Sequence, residues 1–288
     1  MNFYVLYNPL AGTGDRSCDV SVCEQEGAVI RRDITTLPDR AAYEAFLSEL
    51  SPEDVIVLCG GDGTVNRFVN ATEGLDMPQD VRYIPGGTGN DFLKDIERTD
   101  ATAPFSIKEY LQGLPTVEVQ GKHYRFLNNV GFGIDGYCCE VGDAQKAANE
   151  GKENPKPVNY TAIAIKGLLF KFKPCGATVT VDGVEHRYEK VWLAPTMKGR
   201  FYGGGMMPTP AQDRKDPEGT LSVMVMHDSS KLHTLMVFPG IFKGEHVKHE
   251  KMVDIFTGKD IRVVFDRPCA LQVDGETVLG VTEYHAKA

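Results

Sequence analysis

The chain has 288 residues, of which 42% are hydrophobic and 25% are charged, and its formal net charge at pH 7 is −9. This composition is typical of a globular protein with one large domain or two ordinary ones. The negative charge excludes broad nucleic-acid binding, which requires a basic footprint, but it leaves room for a local basic patch that faces a membrane.

The amino-terminal residues indicate a strand rather than a targeting segment. Met1–Pro9 lack the charged n-region and the long apolar h-region of a signal peptide. No apolar run approaches the ~20 residues that a membrane helix needs. The seven cysteines include no CxxC pair, so we expect free, mostly buried thiols. These features predict a soluble cytoplasmic protein.

Alternating strand and helix patterns over the first third of the chain predict a parallel sheet. The strand-like segments are 3–8, 28–34, 55–59 and 81–85. The helical segments are 39–50, with Asp39 as N-cap, and 65–71. Helices then cover both faces of the sheet, and ligands bind beyond the carboxyl ends of its strands.

Two glycine-rich turns follow the third and fourth predicted strands. The first is Gly60-Gly61-Asp62-Gly63-Thr64 and the second is Gly86-Gly87-Thr88-Gly89-Asn90-Asp91. Glycine lets the backbone bend and approach a ligand closely. Successive N–H groups bind anions, and an adjacent carboxylate can hold the metal of a polyphosphate. With Asn66 just beyond the first turn, the pair predicts a nucleotide phosphate site.

The pattern changes after about Pro115, where short alternating runs predict an antiparallel β-sandwich. Asp182-Gly183, Asp266-Arg267-Pro268 and Asp274-Gly275 are the predicted turns. Helices are predicted over 159–173 and 231–242. The predicted strands are 116–119, 126–129, 177–181, 190–194, 221–226, 261–265 and 270–273.

Acidic residues near these turns are candidates for phosphoryl transfer, which needs a phosphate cradle, a divalent metal and a group that orients or deprotonates the nucleophile. Asp62 and Asp91 lie in the glycine turns, whereas Asp274 and Glu276 lie near the end of the chain. Asp-Gly is also the commonest hairpin signal, so a purely structural role for Asp274 stays open. The acidic loop within 203–219 suits a hard cation, although a solvated loop is the simpler interpretation.

The segment after the first predicted strand matches a dinucleotide-binding fingerprint only in part. Gly12-Thr13-Gly14 follows the first strand and Asp33 closes the second, as in a nicotinamide oxidoreductase. However, Ser17 stands in place of the third glycine and a proline precedes the turn. The chain also contains no GxxxxGK[ST] run, so it is not a P-loop enzyme.

Five motifs together resemble the diacylglycerol kinase catalytic family, which includes soluble bacterial diacylglycerol kinases and sphingosine kinases. The resemblance spans nearly the whole chain. GGDGT by itself is shared with NAD kinases, but its combination with GGTGNDF and a late DGE is more specific to lipid kinases. In chain order the motifs are Asn8-Pro9 with Ala11-Gly12, Gly60–Asn66, Pro85–Phe92, Gly203–Met206 and Val273–Glu276.

The resemblance implies an α/β fold joined to a β-sandwich. A three-layer α/β nucleotide-binding domain, similar to that of NAD kinases, would occupy 1–115. An antiparallel β-sandwich domain for the lipid would occupy 116–288, with a tail of about 277–288 that could return to the first domain. ATP would be the phosphoryl donor, with Mg²⁺ as the metal.

The resemblance also implies the roles of individual residues. Asp274 would be the base for the lipid hydroxyl, with Glu276 supporting the site and Asp62 contributing to catalysis. The metal network would comprise Asp62, Asp91, Asp213 and Asp216. The nucleotide would contact Asn8, Pro9, Gly12, Gly60, Gly61, Asp62, Gly63, Thr64, Asn66, Gly86, Gly87, Thr88 and Asn90.

The chain departs from the family pattern in three segments. Asp15 replaces a residue that is often basic, and Asp216-Pro217-Glu218-Gly219 replaces a commoner Asp-Asp-Gly. The choice of metal ligand among Asp213, Asp216 and Glu218 is therefore open. Thr196-Met197-Lys198-Gly199-Arg200 replaces a commoner stretch that contains Asn-Gly.

The expected function is phosphorylation of a membrane lipid hydroxyl, with diacylglycerol as the default acceptor by resemblance. An NAD kinase-like phosphotransferase and a non-catalytic nucleotide- or lipid-binding regulator are the alternatives. The expected partner is a membrane lipid, through transient peripheral contact at the inner membrane surface. The oligomeric state is open, since an edge strand in either domain could pair with a second copy in a homodimer. No nucleic acid is expected.

The segment from Tyr160 to Phe172 has two interpretations. Its leucines and phenylalanines alternate with Lys166 and Lys171, followed by Lys173. This pattern fits an interfacial helix whose apolar face meets the acyl boundary. It fits better a helix packed on the sandwich with its lysines in solvent.

Overall fold

Two β-sheets organise the chain in the computed structural model, which describes residues 1–9, 18–86, 90–149 and 158–288. The chain divides into two units, Met1–Leu114 and Pro115–Ala288. Each unit contains one sheet and its own buried core. Gly12, Gly87 and Thr88, which were predicted to contact the nucleotide, lie outside the described residues, as does Asp15.

The first unit has the parallel sheet that the sequence predicts. Its order is β2-β1-β3-β4-β5, and only the short β5 runs antiparallel to its neighbour. Every residue of β3 is buried, as expected for a central parallel strand covered on both faces. The strands are β1 (Asn2–Tyr7), β2 (Ala28–Asp33), β3 (Val55–Gly60), β4 (Asp80–Pro85) and β5 (Phe105–Ser106).

The helices of the first unit begin at polar residues. The Asp39 carboxylate accepts a hydrogen bond of 3.0 Å from the Ala42 N–H, which confirms Asp39 as an N-cap. The third helix begins at Asp62, earlier than predicted, because Gly61 is its N-cap and the glycine turn supplies its first turn. The helices are α1 (Ser21–Glu26), α2 (Arg40–Ser48), α3 (Asp62–Ala71) and α4 (Asp91–Asp95).

A disulfide joins Cys18 to Cys59. The expectation that all the cysteines are free thiols is therefore wrong for this pair, whose Cα atoms lie 6.0 Å apart, as in ordinary disulfides. Cys59 lies near the carboxyl end of β3 and Cys18 precedes α1, so the bond connects the central strand to the segment that leads into α1. The free cysteines of the described chain are Cys23, Cys138, Cys139, Cys175 and Cys269.

The second unit contains an antiparallel sheet in the order β12-β11-β10-β8-β13-β14-β6-β7, with β9 paired to both β10 and β13. The nine strands are β6 (Thr116–Val119), β7 (Lys122–Arg125), β8 (Asn129–Gly133), β9 (Cys175–Val181), β10 (Val184–Met197), β11 (Leu221–His227), β12 (Val253–Gly258), β13 (Asp260–Val273) and β14 (Glu276–Lys287).

The long strands β10 and β13 bend between two layers. Each pairs with β9 through its first half and with β8 through its second half, and the register shifts in between. The predicted turn at Asp266–Pro268 is therefore wrong, because β13 continues through these residues with an irregularity between Val264 and Cys269. A bulge bends a strand without ending it, which lets one strand serve both layers.

Helices cover one face of the second sheet. The predicted segment 159–173 forms α6 (Tyr160–Lys166) and one π-helical turn, Gly167–Lys171, and the predicted segment 231–242 forms α7 (Lys231–Val237) and a 3₁₀ turn. The sequence pattern did not predict α5 (Ile134–Ala147). Leu168, Phe172 and Trp192 belong to the apolar cluster under these helices. In the described part of the chain, no helix is both long enough and apolar enough to cross a membrane.

The carboxyl-terminal tail belongs to the second sheet. Residues of the tail form β14, which pairs with β13 and β6. The predicted strand 126–129 is shifted as well, since β8 begins only at Asn129. The three residues before β8 are free of strand pairing.

Candidate functional site

The glycine turns follow the carboxyl ends of adjacent parallel strands. Tyr7 of β1 is in register with Cys59 of β3, and Gly60 of β3 is in register with Pro85 of β4. Asn8, Gly61 and Gly86 therefore follow neighbouring strand ends at one edge of the sheet. The edge lies where the strand order reverses between β1 and β3, which is where ligands bind in open α/β sheets.

The Asp62 carboxylate holds the two glycine turns together. Its Oδ2 atom accepts hydrogen bonds from the backbone N–H groups of Asp91 at 3.0 Å and Phe92 at 3.2 Å. The Asp91 side chain is buried and lies 3.6 Å from the Lys94 ammonium. We call an aspartate that accepts backbone N–H bonds from a distant segment a carboxylate clasp. The Asp62 clasp brings two predicted metal ligands, Asp62 and Asp91, into contact.

Small residues are required where the turns approach their neighbours. A Cβ atom on Gly86 would lie 2.9 Å from the Cys18 sulfur, and one on Gly60 would collide with Thr64. The Gly86 N–H donates to the Gly60 carbonyl at 2.9 Å, which also accepts from the buried Tyr83 hydroxyl at 2.8 Å. These contacts fix the turns relative to each other.

The first turn of α3 is open toward an incoming group. Its N-cap, Gly61, makes no side-chain cap bond, and a Cβ on Gly63 would meet nothing within 4 Å. Backbone N–H groups at a helix N-terminus bind phosphate. The oxygen ligands of Asp62 and Asp91 suit a hard cation such as Mg²⁺. The residues present therefore fit a metal–nucleotide phosphate group.

The remaining predicted nucleotide contacts differ in exposure. Thr64 and Asn66 are buried on α3, and Asn66 accepts from the Asn70 amide at 2.9 Å through its carbonyl. Asn8, Pro9 and Asn90 are half-buried. Asn66 thus lies on the inner face of α3, whereas Gly63 lies on the exposed one.

Asp274 lies in the hairpin that joins β13 to β14. Val273 pairs with Glu276, so Asp274 and Gly275 form a two-residue loop with φ values of 47° and 92°. The predicted hairpin is therefore confirmed. Glu276 is the first residue of β14 and is exposed.

The Asp274 side chain forms a second carboxylate clasp. It accepts hydrogen bonds from the backbone N–H groups of Leu127, Asn128 and Asn129, at 2.5, 2.8 and 2.9 Å. Leu127 and Asn128 lie in the irregular segment before β8, and Asn129 is the first residue of β8. Hydrogen bonds from N–H donors favour the ionised form of a carboxylate. The clasp positions the Asp274 carboxylate.

Behind this hairpin lies a buried polar pair that the sequence did not indicate. The Gln272 amide oxygen accepts from the Gly275 N–H at 2.9 Å, and its nitrogen lies 3.4 Å from Asp135 at the start of α5. Burial raises the pKa of the Asp135 carboxyl to about 7, against the effect of its bond from the Gly136 N–H. Only the fold brings residues 135 and 272 together.

The acidic loop is held by its own backbone. Asp216 accepts from the backbone N–H groups of Glu218 and Thr220 and from the Thr220 hydroxyl, which lowers its pKa. Asp213 accepts from the Lys215 N–H at 2.9 Å. Across the described residues, no group of three or more His, Cys, Asp or Glu side chains is placed to hold a metal ion.

The chain combines an α/β unit that carries the glycine turns with an antiparallel β-unit. Residues 2–116 match the diacylglycerol kinase catalytic domain, and residues 129–285 match the YegS C-terminal NAD kinase beta sandwich-like domain. The chain belongs to this family of lipid kinases, for which ATP is the phosphoryl donor.

Two relatives illustrate the similarity. A diacylglycerol kinase of Mycobacterium tuberculosis is 27% identical over 262 residues, which cover 86% of this chain and 80% of the relative. A crystal structure of a diacylglycerol kinase from Bacillus anthracis is 20% identical and has a TM-score of 0.62, with 99% of this chain and 93% of that chain covered. The structural likeness confirms the fold.

Proposed function

We propose that this lipid kinase transfers the γ-phosphoryl group of ATP to the free hydroxyl of diacylglycerol, giving phosphatidic acid. The observation that carries the proposal is the Asp62 clasp, which joins two glycine turns at the carboxyl edge of the parallel sheet. The choice of diacylglycerol is supported by the name of the Mycobacterium tuberculosis relative.

The residues of the first unit would bind and orient the donor. The open first turn of α3 and the backbone at Gly60, Gly61 and Gly86 would hold the phosphates through N–H groups. Asp62 and Asp91 would hold Mg²⁺, which when bound neutralises charge on the β- and γ-phosphate oxygens. We retain Asp213 and Asp216 as proposed contributors to the metal network.

Asp274 would act on the acceptor. Its carboxylate takes the hydroxyl proton as the hydroxyl oxygen forms a bond to the γ-phosphorus, and the bond from phosphorus to the leaving oxygen of ADP breaks. The clasp orients the Asp274 carboxylate before the hydroxyl binds. Glu276 would add negative charge beside the hairpin.

A surface on the helices of the second unit would meet the bilayer. Phe170 is 73% exposed, and Leu232 and Met236 of α7 are 66% and 65% exposed. Lys231 connects α7 to the π-helical turn, since its ammonium lies 3.5 Å from the Leu169 carbonyl. Exposed apolar side chains next to lysines fit an anionic lipid surface. Leu168 and Phe172 are buried, so the segment both packs on the sheet and presents Phe170.

Transfer of label from γ-labelled ATP with Mg²⁺ tests the proposal, with diacylglycerol in mixed micelles and NAD as parallel acceptors. We expect labelled phosphatidic acid, and a large loss of label with Asp274→Asn. Label in NAD alone would assign the chain to the NAD kinase-like alternative. Absence of transfer while ATP still binds would favour a regulator.

Flotation with vesicles that contain anionic phospholipid tests the membrane surface. We expect Phe170→Glu to reduce flotation. Val184→Glu is the matched control, because Val184 is 59% exposed on the β9–β10 hairpin. Equal flotation of the two variants and the unmodified chain would contradict the proposed surface.

A further inference from the structure

Two free cysteines of the second unit, Cys175 and Cys269, are brought together by the fold although they lie far apart in the sequence. Cys175 is the first residue of β9, and Cys269 lies in the irregular part of β13. Because Ala177 pairs with Phe265 in an antiparallel register, the start of β9 runs alongside this irregular part. The side chains of the two cysteines form a hydrogen bond with each other.

One residue of β13, Arg267, contacts both sulfur atoms through its backbone. The Cys269 sulfur lies 3.5 Å from the Arg267 carbonyl oxygen. The Cys175 sulfur accepts a hydrogen bond from the Arg267 N–H. The Arg267 guanidinium in turn donates to the carbonyl of Lys173, two residues before Cys175. These contacts hold the two sulfurs at one point of the sheet.

The cysteine pair can be reached from solvent. Both side chains are half-buried, and Cys269 lines a cavity of about 350 Å³ between α5, the π-helical turn and β13. A reagent in this cavity meets an excess of positive charge, because the lining contains more cations than carboxylates. Its charged residues are all exposed and comprise Lys171, Lys173, Arg267 and Glu140.

The two sulfurs differ in acidity, which distinguishes their chemical roles. The hydrogen bond from Cys269, followed by the Arg267 charge, lowers the pKa of Cys175 to about 7 against the effect of burial. The same contact, together with burial, raises the pKa of Cys269. About half of Cys175 is therefore thiolate at neutral pH, and the thiolate is the form that attacks a disulfide. Cys175 is suited to attack, and Cys269 is placed to resolve the product.

We propose that Cys175 and Cys269 form a reactive dithiol site that takes an anionic organic disulfide as its oxidant. The Cys175 thiolate attacks one sulfur of the reagent, which forms a mixed disulfide and releases one thiolate. Cys269 then attacks the Cys175 sulfur, which forms the Cys175–Cys269 bond and releases the second thiolate. The two protein thiols lose two electrons, the reagent gains them, and the two thiol protons pass to the released thiolates. This chemistry does not depend on the proposed kinase function.

Reaction of the full chain with dithiobis-nitrobenzoate, an anionic aromatic disulfide, tests the site at pH 7. We expect a fast phase that releases two equivalents of thionitrobenzoate and leaves the protein lighter by two hydrogens. Peptide mapping should then find Cys175 linked to Cys269. Retention of an aryl group on each cysteine, without the link, would overturn the proposal. This measurement requires no variant.

Serine variants separate the attacking thiol from the resolving one. Cys175→Ser should slow the fast phase about tenfold, because only the weakly ionised Cys269 remains. Cys269→Ser should release one equivalent and retain one aryl group on Cys175. Cys139→Ser is the matched control, because Cys139 is also half-buried and burial raises its pKa to about 12. Equal rates in the Cys175→Ser and Cys139→Ser variants would overturn the role of Cys175.

An uncharged reagent, dithiodipyridine, tests the preference for an anionic disulfide. The ratio of the rates with the anionic and uncharged reagents cancels any change in the acidity of Cys175. We expect Lys173→Gln to lower this ratio several-fold at low ionic strength, where charges are weakly screened. Lys166→Gln is the control, since Lys166 is an exposed lysine of α6 that does not line the cavity. The same ratio in both variants would overturn the assignment to anionic disulfides.

Discussion

Two Asp-Gly hairpins of the second unit share one local structure and differ in their surroundings. Asp182-Gly183 joins β9 to β10 with φ values of 48° and 84°, and Asp274-Gly275 joins β13 to β14 with 47° and 92°. Both carboxylates are clasps. Asp182 accepts from the N–H groups of Lys259 and Asp260, each at 2.9 Å.

The difference lies behind the turns. Asp182 is exposed, whereas Asp274 is half-buried and has Gln272 and Asp135 behind it. Leu127 and Asn128, two of the residues that Asp274 holds, also accept hydrogen bonds from the buried Arg214 guanidinium. An Asp-Gly hairpin with a clasp is therefore a structural device that this chain uses twice. The buried charged groups around it distinguish the hairpin to which we assign chemistry.

The largest expected effect separates the two aspartates. Asp274→Asn should lower turnover ~10²–10⁴-fold, because positioned proton transfer is typically worth that much. Asp182→Asn loses a comparable clasp and should leave turnover unchanged. Steady-state rates and Tm values of both variants give the comparison. Near-normal turnover in Asp274→Asn would reduce this hairpin to the same structural role as the other.

The pH dependence of stability should reveal Asp135, which lies behind only one hairpin. Its folded pKa of about 7 exceeds its ordinary value of 3.8, so the folded state binds an extra proton between these values. The contribution of Asp135 to the free energy of unfolding is fully present below pH 4. It falls by up to about 1.4 kcal/mol per pH unit as the pH rises, and it is lost above pH 7.

The variant Asp135→Asn carries no titrating group at this position and should remove that slope. Urea unfolding at pH 5 and pH 8 measures this. The free energy of unfolding of the variant, relative to that of the unmodified chain, should be higher at pH 8 than at pH 5. Tyr284 and Cys138 feel the Asp135 charge but stay neutral in this window, because burial raises their pKa values. An unchanged pH slope in the variant would show that Asp135 is ionised at neutral pH.

The Asp62 clasp of the first unit can be tested in the same way, through its effect on stability and on ATP binding. Asp62→Ala leaves the N–H groups of Asp91 and Phe92 without this acceptor, which should cost about 1–3 kcal/mol of stability. It also removes a proposed metal ligand, so ATP affinity measured by calorimetry with Mg²⁺ should fall. Asp39→Ala, which removes the N-cap of α2, is a control of similar destabilisation. Equal ATP affinity in both variants would count against the metal role of Asp62.

The smallest expected effect is the loss of stability when the glycine of either hairpin is replaced by alanine, and it should be the same at both hairpins. Gly183→Ala and Gly275→Ala force an L-residue into positive φ at sites where a Cβ meets nothing within 4 Å, so the cost is conformational and about 1–2 kcal/mol. Urea unfolding of the two variants should give matching losses. Unequal losses would show that one turn carries strain that the other does not.

The parallel half of the fold was predictable because its signals are local. The apolar run at Val55–Cys59, the Asp39 cap and the glycine turns each act within a few residues. The carboxyl ends of adjacent parallel strands meet at one edge, so the contact of Asp62 with Asp91 follows from topology. The helix at 134–147 and the continuous β13 were missed, because a glycine-bounded helix and a bulge depend on what packs against them.

The sequence by itself determined the two-part architecture, the edge at which the glycine turns lie, the hairpin at Asp274-Gly275 and the membership of a lipid kinase family. Periodicity, glycine conformation and short motifs act over a few residues and so can be read along the chain. Only the tertiary structure brought Leu127–Asn129 to Asp274, Asp135 to Gln272 and Lys198 to Arg214. These contacts join residues 16 to 147 positions apart, and burial and electrostatic interaction depend on distance in space, which the order of residues does not encode.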